Sequence, residues 1–296
     1  MNEVDMDRRS LFGQTSGRAA MLAMGALAAS AALPLASAIA QETRPPSDID
    51  ILNFALNLEY LETEYYLRGV LGRTLDDVAG TNFGGSVRGG RPVRFSTPVR
   101  EGMIKNIGGN ELAHVRFVRQ TVESLEGTPI PRPVIDLEAG FAGVARGAGL
   151  PDFDPFANEM NFFLGALLFE DVGVTVLKGS ARFIRNDRVL ESSAGLLGAE
   201  GYHVGALRAV LYKMGAPALE RFGAISDLRD RLDGRQDLDQ PLVLGGKVNI
   251  SPSNENAIAY GRTPQHALNI LYGSPGANIM QGGFFPEGVN GAIRAT

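Results

Sequence analysis

Residues Gly109–Arg116 read GNELAHVR, and residues Gly198–Gly205 read GAEGYHVG. In each a glutamate stands three positions before a histidine: Glu111 before His114, Glu200 before His203. The chain has 3 histidines in 296 residues. Composition alone places two of them at this offset about one time in a hundred. On a helix, positions i and i+3 share a face, so Glu-x-x-His aims a carboxylate and an imidazole at one point. Glu111 lies in line with Ile104, Ile107, Val115 and Val118, and Glu200 with Leu196, Leu197, Val204, Leu207 and Leu211. Both pairs therefore sit on apolar, core-facing stripes. Acids placed there carry a large desolvation penalty unless partnered, which argues against a solvated salt bridge.

Two further long helical segments each carry a glutamate on the apolar face. Glu59 aligns with Leu52, Ala55, Leu56, Thr63 and Tyr66, and Glu170 with Phe163, Ala166, Leu167, Val174 and Leu177. Glu62 is close enough to the face of Glu59 to rival it, while Glu64 points away and reads as solvated. Asp171 is turned about 100° from Glu170 and should meet another neighbour. Tyr66 falls near the site, where it could bond a ligand, donate an electron or simply pack. The set is one core glutamate from each of two helices and one Glu-x-x-His from each of two others, as in di-iron and di-manganese carboxylate bundles. Four carboxylates balance two divalent cations while the histidines bind neutral. The alternative is a metal-free polar core in which Glu, His and Arg pair among themselves. His266, with no acid at helical spacing, reads as structural.

Helical periodicity marks four long segments. The first runs from about Asp48 to Val70 with Ser47 or Asp48 as cap. The second runs from Pro98 to Leu125, capped by Thr97 and stopped at Gly127. The third opens at Asp154-Pro155 and continues to about Ile184. The fourth runs from Ser192 to Met214 and ends at Gly215. The Gly-rich TNFGGSVRGGRP (81–92) separates the first two and reads as a flexible surface loop; no strand–GxxxxGK–helix pattern makes it a phosphate cradle. Gly127 to Phe153 forms a long crossover with a short helix near Ile135–Arg146, and the turn near Asn186–Glu191 is short. Two antiparallel pairs joined by one crossover is ferritin-like topology. The expected fold is all-α, a ferritin-like four-helix bundle over 41–215 with an irregular C-terminal extension over 216–296. That extension should hold a helix over Ala218–Leu232, a strand within Leu242–Ile250, a short helix from Thr263 to Tyr272, and a Gly-rich end whose Phe284 and Phe285 must pack on something.

Arg8 and Arg9 lead an Ala-rich apolar stretch that ends in Ala38-Ile39-Ala40. This has the layout of a cleaved signal peptide over 1–40, and the paired arginines give it a twin-arginine (Tat) character. An uncleaved anchor is the alternative, disfavoured by the short apolar stretch and Pro34. The mature chain has no run of 18 apolar residues, so it should be soluble and periplasmic or secreted, without a membrane role. No cysteine is present, which excludes disulfide and thiolate chemistry. A net charge of −5 is of the wrong sign for nucleic acid.

The segments ILNFALNLEYLETEYYLRGV, NELAHVRFVRQ, FFLGALLFEDVGVTVL and AEGYHVGALR, with the tail motifs YGRTPQHALNILYG and GGFFPEGVNG, resemble exported bacterial ferritin-like domain proteins related to the plant desiccation-related proteins. The resemblance implies a four-helix bundle with Glu59, Glu111, His114, Glu170, Glu200 and His203 holding two Fe or two Mn ions. It implies O₂ or H₂O₂ as the small-molecule substrate, in ferroxidase-like or catalase-like chemistry of the kind shown by manganese catalase, with homo-oligomers possible. A non-catalytic stress or desiccation protein that keeps the bundle is the other expectation. Export and the long C-terminal extension set it apart from cage-forming storage ferritins.

Overall fold

The computed structural model describes residues 45–234 and 236–296; the expected signal peptide lies outside them. Ser47 caps α1 (Asp48–Leu71), accepting from the Asp50 amide while Asp50 bonds back to the Ser47 amide, and Gly72 in the left-handed region (φ 63°) ends it. A five-residue helix, α2 (Leu75–Ala79), follows. Thr97 caps α3 (Pro98–Ser124), with Pro98 in the first turn. The crossover carries α4 (Leu137–Gly147). α5 (Glu159–Ser180) and α6 (Asp187–Met214) complete the bundle. The chain then runs through α7 (Ala216–Asp233) and α8 (Pro264–Tyr272).

α1 packs along α3, and α5 along α6. Tyr66 lies against Gly108 and Ile49 against Gly127, so the first pair is antiparallel. α1 also contacts α5 along its length, whereas α3 and α6 touch at few points. The result is an all-α bundle with one open seam. Among the described residues, one helical segment, Glu159–Phe183, is long and apolar enough to cross a membrane, and 83% of its apolar window is buried inside the fold.

Several expectations needed correction. The third long helix begins at Glu159, not Asp154: Asp154 closes a turn by accepting from the Phe156 amide, and Asn158 caps the helix through the Asn161 amide. The fourth begins at Asp187, because Asn186 accepts from both the Arg188 and Val189 amides. Its first turn is mostly exposed and charged, with Asp187, Arg188 and Glu191 in solvent and Val189 alone turned inward, so periodicity gives little sign of it. Residues 81–92 are tied down: β1 (Val87–Arg88) pairs in parallel with β2 (Ile135–Asp136), and the Gly85 amide donates to Arg132 at 2.7 Å. The single strand expected in Leu242–Ile250 is a hairpin, β3 (Val243–Leu244) against β4 (Lys247–Val248). Glu64 is buried and pairs with Arg132 at 2.5 Å and Arg68 at 3.0 Å, since the crossover covers that side of α1.

The C-terminal segment explains why α1 and α5 are buried nearly all round. Phe284 packs edge-on against Phe141 and Phe169 at 4.9 and 5.0 Å. Asn57 and Asn290 exchange side-chain-to-backbone hydrogen bonds, which fasten the tail to α1. α7 and α8 pack on α5. Asp171 does meet another neighbour: it accepts from Arg208 at 2.7 Å and Arg229 at 3.0 Å.

Candidate metal centre

The six residues expected from sequence converge in the bundle core. Four ligand-type atoms from Glu59, Glu111, His114 and Glu200 lie within 4.8 Å of one another, and so do four from Glu111, Glu170, Glu200 and His203. Glu111 and Glu200 belong to both groups. The sequence folds to this point because Glu111–His114 and Glu200–His203 each occupy one helix face, and the antiparallel pairs bring the four helix midpoints level. The imidazole rings of His114 and His203 stand 6.1 Å apart and 25° from parallel. His266, on α8, belongs to neither group.

His114 Nδ1 lies 3.4 Å from Glu59, 3.3 Å from Glu111 and 3.3 Å from Glu200, and completes a hydrogen bond with none of them. His203 Nδ1 lies 3.1 Å from both Glu111 and Glu170. One N–H serves one acceptor well, yet each nitrogen is shared among several carboxylates. Donor atoms about 2.2 Å from one cation at right angles stand roughly 3.1 Å apart, and the observed spacings match that arrangement. Glu59 Oε2, both oxygens of Glu111 and both of Glu200 are buried without a hydrogen-bond partner. Orphaned carboxylate oxygens are costly in a dry core. Hard oxygen and borderline nitrogen donors suit divalent Fe or Mn. The residues fit a pair of such ions.

Without metal the electrostatics are strained. Burial lifts Glu59 to about 8, with Glu111 and Glu200 adding to the rise and His114 opposing it. Burial, then the surrounding carboxylates, pushes Glu62 and Glu200 well above the ordinary range. Glu111 goes the other way: burial raises it, but the two imidazoles beside it, His114 and His203, outweigh that and hold it at about 2. Burial pulls His203 down, yet Glu111 and Glu170 hold it up at about 10. His114 is raised further still by Glu111, Glu200 and Glu59 against its burial.

Residues 47–213 match the ferritin-like domain family. The chain belongs to it. Among characterised ferritin-like relatives, the chain is 30% identical to the ferritin-like catalase Nec2 of Nesocodon mauritianus over 269 residues, 83% of this chain and 85% of that protein. It is 32% identical to desiccation-related protein PCC13-62 of Craterostigma plantagineum over 247 residues, 76% of this chain and 77% of that one. No solved structure matches this ferritin-like chain significantly.

Three surrounding contacts complete the site. The Tyr66 hydroxyl donates to Glu170 Oε1 at 2.5 Å, the first of the roles its position allowed. Gly173 makes room, since a Cβ there would stand 3.1 Å from Glu200 Oε2 and 3.4 Å from Glu62 Oε1. Asn110 reaches His203 Nε2 at 3.1 Å. Sequence reasoning missed Gly173 and Asn110, because neither shows in periodicity or in a motif spacing.

Proposed function

We propose that this ferritin-like protein is an exported di-metal enzyme that disproportionates hydrogen peroxide. The observation that carries the reading is the pair of four-residue groups sharing Glu111 and Glu200, with their buried oxygens orphaned. The 30% identity to a ferritin-like catalase across 83% of the chain favours peroxide over O₂ as substrate. Two bound iron or manganese ions would supply a two-electron couple, by which one H₂O₂ is oxidised to O₂ and a second is reduced to two waters.

The chain's own residues have separate tasks in this reading. Glu111 and Glu200, common to both groups, would hold both cations, with His114 and Glu59 completing one group and His203 and Glu170 the other. Tyr66 holds Glu170 in place through its phenol. Glu62 faces the same space but enters neither group. Its carboxyl, pushed above the ordinary range in the metal-free fold by burial and then by the carboxylates around it, lies beside Glu200 across Gly173. The aromatic and aliphatic packing around Tyr65, Phe162 and Phe169 excludes bulk water from the carboxylates.

The test is elemental analysis of the purified protein followed by oxygen-electrode assay with peroxide. Close to two Fe or Mn per chain, with one O₂ released for every two H₂O₂ consumed, supports the reading. No bound metal after anaerobic Fe(II) or Mn(II) addition overturns it. That result favours the second reading, a non-catalytic bundle, for which the 32% identity to a desiccation-related protein is the supporting observation. Export through the twin-arginine route rests on Arg8-Arg9, the apolar stretch and Ala38-Ile39-Ala40. Replacing both arginines with lysine should leave the uncleaved precursor inside a Tat-competent host.

A further inference from the structure

We propose that Asn110 is a positioning residue: its side-chain carbonyl accepts the outer N–H of His203 and fixes that imidazole with Nδ1 toward the carboxylates. The inference rests on the di-metal reading. Asn110 directly precedes Glu111 on α3, and its side-chain amide reaches His203 of α6, with Nδ2 placed 3.1 Å from Nε2. It thus bridges α3 and α6, neighbours that touch at few other points. The residues flanking this seam are small and exposed, Gly109 and Ala113 on α3 and Gly198 on α6. His114 keeps 11% of its side chain exposed, more than any of the other five ligand candidates. Asn110 is the polar group that the fold offers Nε2 here.

The tautomer decides whether His203 can bind a cation. A neutral imidazole has one N–H. With the hydrogen on Nδ1, the ring presents a proton to Glu111 and Glu170, and its lone pair, on Nε2, faces Asn110 and not the carboxylates. With the hydrogen on Nε2, Nδ1 is free to bind. A half-turn of the Asn110 amide exchanges Nδ2 for Oδ1 at the same position without changing shape. Oδ1 accepts a hydrogen from Nε2 and so selects the binding tautomer. An acceptor behind a ligating histidine is worth about 10–100-fold in metal affinity.

Co(II) titration of the full-length protein, followed by visible absorption, tests this for wild type, Asn110→Ala and Asn110→Asp. In Asn110→Ala one of two Co(II) equivalents should weaken by roughly 10–100-fold while the other is unchanged. Asn110→Asp, which accepts but cannot donate, should restore it. Thermal melting of the metal-free variants checks that each folds. Two wild-type isotherms in Asn110→Ala, or Asn110→Asp binding as weakly as the alanine variant, overturn the proposal. A wild type that takes up no Co(II), Fe(II) or Mn(II) fails the di-metal reading and this inference together. Normal wild-type uptake with indifferent variants fails this inference alone.

Discussion

Glu111 is the residue on which both half-sites depend. It lies within reach of His114 and His203, belongs to both groups, and has both oxygens buried without a hydrogen-bond partner. Glu59 belongs to one group only. Glu111→Ala should therefore remove stoichiometric binding of both ions, whereas Glu59→Ala should remove one; elemental analysis after Mn(II) loading and desalting separates the two. His203→Ala should likewise remove one, since His203 also belongs to one group only. Glu62→Ala should keep two ions, because Glu62 completes neither group. Two ions retained in Glu59→Ala but lost in Glu62→Ala would reverse the assignment on α1. The choice between these two glutamates was not legible in sequence. They differ by three positions on one helix, so periodicity places both on the core face, and only the level at which His114 meets α1 separates them.

Among the elements, α5 holds the two sides of the fold together. Glu170 faces the centre, while its neighbour Asp171 faces Arg208 of α6 and Arg229 of α7. Arg229 continues to Asp239, and Arg262 joins Asp239 and Asp233, all of them buried. This charge chain fastens the C-terminal segment to the bundle. Removing one partner of a buried pair leaves the others desolvated and uncompensated, at a cost of about 3–5 kcal/mol. Asp171→Ala should lower the urea midpoint by a corresponding amount without changing metal stoichiometry; an unchanged midpoint would show the chain to be dispensable. The turn of about 100° between positions 170 and 171 made this division of labour readable from sequence. The four long helices were equally readable, because their apolar stripes run for six turns or more. The partners of Asp171 were not, since Arg208, Arg229 and Arg262 come together only through tertiary contact. The same holds for α2 and the two-residue β1–β2 pairing, which are too short to carry a period of their own.

At the scale of the whole molecule, the metal-free fold encloses carboxyl groups that have every reason to stay protonated. Glu59 sits at about 8, and Glu170, Glu62 and Glu200 are also raised, first by burial and then by the carboxylates around them, Glu111 among them. A carboxyl raised in the folded state keeps a proton that the unfolded chain has released. Its contribution to stability is whole below 4.5 and is lost as pH climbs through the folded value, which for Glu59 means between 4.5 and about 8. His203 acts in the same direction between 6.5 and about 10. Glu111, held at about 2, acts oppositely, but only below 4.5. The metal-free protein should therefore melt at a lower temperature at about pH 8.5 than at about pH 5.5. Divalent cations compete with those same protons, so their binding tightens as pH rises. A fixed Mn(II) concentration equal to a hundred times its Kd at about pH 5.5 should contribute about 2.7 kcal/mol there, and the same concentration should raise Tm further at the higher pH, where Kd is smaller. Calorimetric melts with chelator and with Mn(II) at the two pH values check both signs. A metal-free Tm that holds steady across this range, together with no gain from Mn(II), would mean that these carboxyls are satisfied by one another, and the bundle would then need no cations to bury them.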